Sequence, residues 1–350
     1  MRHGTPARPR TWFHGGVPRR ACSEEKPIPE AEPLVVAHRG ASGAFPEHSE
    51  AAFRAAVDRG ADVLEVDVVA SSDGGLIARH EWGLSATTDV ASRPEMAGLA
   101  QPRDGRRGRV TDWWVDLMTL EQALALRTRE RWPDTRPDSA ARDGADPVLR
   151  LHDVLAIAED EADAAGRPVG VAIELKDVGA AARVRGLDIL GALLRDLARA
   201  ALPSTRVPVW VMAFEASPLS RLHAERAAGR APEVRLVQLM EQALPADARA
   251  WDAVRARAEV VGPCLDLALS GAGAASADTL HEQARSRDLD VWSWTFRAEN
   301  AFLPPALRSG SNPAEHGDVH ALLREAARRG IAGLICDQPE LAARMGSVGS

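Results

Sequence analysis

Three apolar segments of this chain end in, or are interrupted by, side chains that could do chemistry. Leu34-Val35-Val36-Ala37 runs into His38-Arg39-Gly40 and then Phe45-Pro46-Glu47-His48-Ser49. A strand buried on both faces has no reason of its own to end in an imidazole and a guanidinium, so the pair suggests an anionic ligand. A core histidine beside an ordinary Arg–carboxylate pair is the plainer alternative. In Val63-Leu64-Glu65-Val66-Asp67-Val68 the acids alternate with aliphatics. Strand side chains alternate, so Glu65 and Asp67 share one face. Two adjacent acids in a barrel interior repel and need a cation or a proton, whereas on an edge strand water would suffice. Ala172-Ile173-Glu174-Leu175-Lys176 adds an acid and a lysine two residues apart. Three carboxylates from two strands make an oxygen-rich site suited to Mg²⁺ or Ca²⁺. Lys176 can counter the charge of a phosphate or simply pair with Glu174 or Asp67. After the turn Ser72-Asp73-Gly74-Gly75, the short strand Leu76–Arg79 brings His80-Glu81 back on a hairpin beside the first site.

These residues need a frame. Eight apolar runs of strand length alternate with stretches of helical period: Leu34–His38, Val63–Val69, Val171–Lys176, Val207–Phe214, Val234–Met240, Glu259–Gly262, Asp290–Thr295 and Ile331–Cys336. Ser49 can cap a helix ending near Gly60, Ser217-Pro218 offers a cap with proline at the first helical position, and Asp318 starts a helix ending at Gly330. Within 182–199, Val184, Leu187, Leu190, Leu193, Leu194 and Leu197 form one stripe of a helix. The alternation fits an open doubly wound sheet or a closed barrel. The polar residues at the carboxyl ends favour a TIM-type (β/α)₈ barrel with an insertion after the second strand. The insertion spans 81–150, contains a helix from a Thr119-x-x-Gln122 capping box to about Arg131, and includes a stretch expected to be disordered at 133–147.

The 350 residues carry a net charge of −7 with dispersed basic residues, which recommends no nucleic acid or anionic membrane as partner. Cys22, Cys264 and Cys336 show neither a disulfide framework nor metal-ligand spacing. Residues 1–32 read as a disordered tail without the apolar core of a signal peptide, leaving 33–345 as the barrel. The few, scattered cysteines and the missing signal-peptide core make a cytoplasmic location the expectation, with a cysteine-poor exported protein as the alternative, and no run is long enough to span a bilayer. Oligomeric state is not legible.

In order and approximate spacing, His38-Arg39-Gly40, Glu47, Glu65-x-Asp67, His80 and Glu174-x-Lys176 resemble the motifs of the glycerophosphodiester phosphodiesterase family. Pro46-Glu47-His48-Ser49, Val237-Gln238-Leu239, Gly262-Pro263 and Asp337-Gln338-Pro339 are similar to its bacterial periplasmic-type branch, and the resemblance runs from about 34 to 345. It implies a (β/α)₈ barrel that uses a divalent cation to hydrolyse glycerophosphodiesters to glycerol 3-phosphate and an alcohol. By position it makes Glu65, Asp67 and Glu174 the metal ligands and His38 and His80 the acid–base pair. Arg39 and Lys176 hold the phosphate, Glu47 lines the site and Trp294 packs on the glycerol. Glu81 stands where the family usually has aspartate, and an expected arginine is replaced around Ser85-Ala86. The chemistry is consistent with this: a phosphodiester is anionic and poorly electrophilic, so its cleavage needs positive charge on the nonbridging oxygens, a base and an acid. The rivals are a sphingomyelinase D-like phospholipase acting on lysolipids and a non-catalytic barrel that binds metal or phosphate. An amidohydrolase would want His-x-His on the first strand.

Overall fold

The computed structural model describes residues 32–105, 108–245, 247–270 and 277–344. In chain order its strands are β1 (Leu34–His38), β2 (Val63–Ala70), β3 (Leu76–Ala78), β4 (Gln101–Gly105), β5 (Gly108–Asp112), β6 (Gly170–Leu175), β7 (Val209–Ala213), β8 (Arg235–Met240), β9 (Val260–Pro263), β10 (Asp290–Phe296) and β11 (Gly333–Cys336). Apart from β3 to β5, each pairs in parallel with its neighbour. The ring closes where β1 meets β11, from Leu34↔Gly333 to Ala37↔Cys336. That pairing excludes the open sheet and makes the fold a TIM-type (β/α)₈ barrel. β3 turns back antiparallel on β2, and β4 and β5 form a separate hairpin in the insertion. The expected tail falls almost wholly outside the described residues.

Alternation along β2 sorts its side chains. Leu64, Val66 and Val68 pack outward with helix residues such as Phe53, Val57 and Val154. Inside the barrel, Val36, Val63, Ala172, Trp210, Trp292 and Ile335 form a second apolar cluster. The Trp210 and Trp292 rings lie 5.3 Å apart, and aromatic side chains of this kind each bury roughly 150–250 Å². Gly333 makes room for this plug, since a Cβ there would come within 2.5 Å of the Trp292 ring. With apolar residues filling the interior, the polar groups sit toward the carboxyl ends of the strands, as is usual in such barrels.

Several local expectations need correction. The helix expected over 182–199 is two helices, Val178–Arg185 and Ile189–Arg199. Gly186, with φ 67°, ends the first, and the Asp188 side chain caps the second. Val184 therefore leaves the stripe and is 68% exposed. Ser217 does not cap its helix, which runs Ala216–Ala227 from Glu215. Ser49 and Asp318 cap as expected, accepting from Ala52 N and Ala321 N.

The capping box at Thr119 is present, but its helix stops at Leu124. The stretch 133–147 is ordered: Pro137–Ala140 is helical and Arg136 is buried. The insertion also has a core of its own, with Leu84, Val90, Met96, Val115, Met118 and Leu126 packed on Val69 and Ile77. No helix among the described residues is long and apolar enough to cross a membrane.

Candidate active site

Strand register assembles the site. His38 is the partner of Glu65 across β1–β2, and Asp67 is the partner of Glu174 across β2–β6. Carboxylate oxygens of Glu65, Asp67 and Glu174 lie within 4.8 Å of one another. His38, Arg39, Glu65, His80, Glu174, Lys176 and Trp294 all border one cavity of about 910 Å³. Asp67 is fully buried beside it. Glu47 does not reach the cavity wall as expected, because it is buried behind Arg39 and accepts from Arg39 Nη1 at 3.1 Å on each oxygen.

Local backbone aims these groups. Arg39 has φ 58°, a conformation uncommon for a residue with a side chain. It is held there by its own N–H, which donates to Glu65 Oε2 at 2.9 Å, and by its carbonyl, which accepts from His48 N. Gly40 follows at φ 82°, where a Cβ would sit 2.6 Å from the Ala52 backbone. The turn thereby lets the helix Glu50–Asp58 approach the end of β1.

Crowding the acids has electrostatic consequences. Burial, followed by the charges of Asp67 and Glu174, pushes the Glu65 carboxyl well above its ordinary range. Burial also pushes Glu174 up, to about 7. Asp67 is pushed up by burial too, but Lys176 and Arg39 outweigh this and hold it well below the ordinary range. Lys176 Nζ lies 2.9 Å from Asp67 Oδ1 and also pairs with Glu174, while Arg39 Nε is 2.9 Å from Asp67 Oδ2. Glu65 Oε1 is buried with no hydrogen-bond donor. An orphaned buried carboxylate oxygen facing two further acids fits a hard cation, and an all-oxygen donor set suits Mg²⁺ or Ca²⁺ better than zinc.

Both histidines are held at Nδ1. His38 Nδ1 lies 2.7 Å from Asp337 Oδ1, and His80 Nδ1 lies 2.7 Å from Glu81 Oε1. An ionised carboxylate only accepts, so each Nδ1 carries the proton and donates it, leaving Nε2 for exchange with a ligand. Burial first, then Arg39, lowers the His38 pKa to about 3 and keeps the ring neutral. His80 is partly exposed. Trp294 is fixed by Nε1, which donates to Gly262 O at 2.7 Å, and by edge contact with Phe214.

Sequence reasoning missed the layer behind these groups. His48, 0% exposed, accepts from Asp67 N at 3.1 Å and so steadies β2. Asp337 orients His38 and is itself held by Arg136 Nη2 at 2.6 Å and Arg297 Nε at 2.8 Å. Burial raises the Asp337 carboxyl, but these arginines hold it well below its ordinary range. Arg136 also bonds Glu299 and Ser42 O, and Arg131 bonds Glu47 and Glu81. Asp337-Gln338-Pro339 was singled out in the sequence only as part of a resemblance. The arginines of the insertion gave no signal.

The sequence profile of the Glycerophosphoryl diester phosphodiesterase family matches residues 38–341. Among curated proteins, the chain is 31% identical over 153 residues to glycerophosphodiester phosphodiesterase GDPD6 of Arabidopsis thaliana, covering 44% of this chain and 39% of that protein. It is 26% identical over 220 residues to the glycerophosphodiester phosphodiesterase of Haemophilus influenzae, covering 60% and 57%. The matches thus span less than two thirds of either relative. The barrel is similar to that of an Oleispira antarctica phosphodiesterase in complex with the product sn-glycerol-3-phosphate, with TM-score 0.62 and 17% identity over 91% of this chain and 98% of that one. A glycerophosphodiester phosphodiesterase from Thermotoga maritima gives TM-score 0.52 at 16% identity over 89% and 98%. At such identities the structures speak to the fold alone. The family profile covers most of the chain, and the protein belongs to the glycerophosphoryl diester phosphodiesterase family.

Proposed function

We propose that this protein is a glycerophosphodiester phosphodiesterase, hydrolysing glycerophosphodiesters to glycerol 3-phosphate and an alcohol with the help of a divalent cation, Mg²⁺ or Ca²⁺. The observation that carries this reading is the register pairing of His38 with Glu65 and of Asp67 with Glu174 at the edge of one cavity that His80 also borders. Glu65, Asp67 and Glu174 would hold the cation. Bound there, it supplies Lewis-acid charge to a nonbridging phosphate oxygen.

The chain's own groups do the rest. Arg39 and Lys176 bring positive charge to the phosphate, and Trp294 offers an apolar face to the glycerol. His38 is neutral with Nδ1–H held by Asp337, so its Nε2 lone pair suits removal of a proton from the attacking hydroxyl. His80, on the hairpin beneath the insertion, gives a proton to the leaving oxygen from Nε2 while Glu81 holds Nδ1. Glu47 acts at one remove, by orienting Arg39.

The test is to incubate the purified protein with a panel of glycerophosphodiesters and lysolipids, with and without EDTA. Glycerol 3-phosphate is then detected by a coupled enzyme. The expected result is its release from glycerophosphodiesters, abolished by EDTA. Release of choline and lysophosphatidate from lysolipids alone would instead favour the phospholipase reading, and no turnover of any diester would leave only a binding barrel.

A further inference from the structure

Arg131 lies in the insertion, on the cavity wall, where its guanidinium bridges two carboxylates. Its Nε donates to Glu47 Oε2 at 2.9 Å, and Nη2 donates both to Glu47 Oε1 at 2.6 Å and to Glu81 Oε2 at 2.5 Å. Nη1 donates to Glu81 Oε1 as well. Each of these carboxylates has a second partner. Glu81 holds Nδ1 of His80, and Glu47 holds Nη1 of Arg39. One planar cation therefore joins the histidine of the hairpin to the arginine that follows β1.

We infer that Arg131 is a positioning residue that fixes His80 and Arg39 relative to one another, through Glu81 and Glu47. The inference rests on the phosphodiesterase reading above and adds to it the control of that site by the insertion. A guanidinium presents its donors in a rigid fork, so carboxylates bound on two of its edges are fixed in mutual orientation as well as in distance. Glu81 is about a third exposed and has three side-chain bonds to swing on, one more than the aspartate usual at this position. With Arg131 removed, Glu47 and Glu81 lose the one guanidinium that bonds them both and repel as neighbouring anions. The segment carrying Arg131 is itself docked on the barrel. Next to it, Trp132 packs on Phe302 with ring centroids 4.9 Å apart, and the Arg297 and Arg136 guanidinium groups lie 5.3 and 5.0 Å from the Trp132 ring. The insertion can thus transmit a fixed position to groups that follow two different strands, β1 and β3.

The test compares Arg131→Ala, Arg131→Lys and Glu81→Gln with the unaltered protein on a natural glycerophosphodiester and on a nitrophenyl phosphodiester, whose leaving group needs no acid. Arg131→Ala is expected to lose about 10²-fold or more in kcat on the natural diester and far less on the nitrophenyl ester. It should also raise KM for both, because Arg39 loses the second anchor of its partner. Glu81→Gln should reproduce the leaving-group effect without the rise in KM. Added guanidinium should restore natural-diester turnover to Arg131→Ala, and Arg131→Lys, which keeps the charge without the fork, should fall between.

An equal loss on both substrates at unchanged KM would mark a merely structural role and overturn the inference, as would natural turnover within twofold of normal. Should the unaltered protein cleave no diester, the phosphodiesterase reading fails, and the inference is then decided by the ring ¹⁵N and ¹H signals of His80. Arg131→Ala should convert a single Nδ1–H tautomer into an averaged one, and an unchanged spectrum would overturn it.

Discussion

His38 and Asp337 meet at 2.7 Å across the seam where the barrel closes, His38 ending β1 and Asp337 following β11. Replacing Asp337 by Asn should preserve the shape and spoil the chemistry. An amide can donate to Nδ1 and stabilise the wrong tautomer of His38, so kcat should fall by about 10²- to 10⁴-fold. The same change leaves the buried Arg136 and the half-buried Arg297 short of an anion, a loss that for a buried pair costs about 3–5 kcal/mol. Steady-state kinetics and a thermal melt check both parts. Normal kcat in a less stable protein would remove the orienting role and leave only the structural one.

Metal removal gives the second expectation. Activity should vanish on chelation and return with Mg²⁺ or Ca²⁺. Glu65→Gln, Asp67→Asn and Glu174→Gln should each weaken the cation's binding as measured by calorimetry, because each replaces one of three clustered carboxylates by a neutral amide. Full turnover in excess EDTA by protein free of metal would contradict this.

How far the sequence led is clearest in β2. Glu65 and Asp67 were legible because a two-residue period puts them on one face, and the eight strands were legible because apolar runs of that length recur. The layer that steadies the site was not. Arg131 stands at the expected end of the Thr119 helix, which stops at Leu124, and Arg136 lies in the stretch 133–147 expected to be disordered, so neither carries a signal of burial. Their partners lie 84 and 201 positions away, at Glu47 and Asp337. Only the closed barrel brings such pairs together. The break at Gly186 was missed for the opposite reason, since a continuous leucine stripe overrode a glycine that takes φ 67°.

His48 makes stability depend on pH in a defined direction. Burial lowers its pKa from 6.5 to about 4 despite the pull of Asp67. The folded state therefore binds this proton less readily than the unfolded chain. Stability that is fully present above pH 6.5 is lost as the pH falls through that value toward 4, by about 3 kcal/mol in all. His48→Asn keeps an acceptor for Asp67 N without the titration. Denaturant-derived stabilities of the two proteins should converge, or cross, as pH falls through this window, whereas parallel curves would show that His48 contributes nothing to acid sensitivity.

The two histidines provide the most direct test. If His38 takes the proton of the attacking hydroxyl and His80 supplies one to the leaving oxygen, turnover of natural diesters should pass through a maximum with pH. His38→Ala and His80→Ala should each lose about 10²- to 10⁴-fold, with cation affinity little changed. Measured on a nitrophenyl phosphodiester, kcat of the His80 variant should recover far more than that of the His38 variant. Equal recovery of both would contradict the assignment of acid and base, and near-normal turnover of natural glycerophosphodiesters by either variant would contradict the two-histidine account itself.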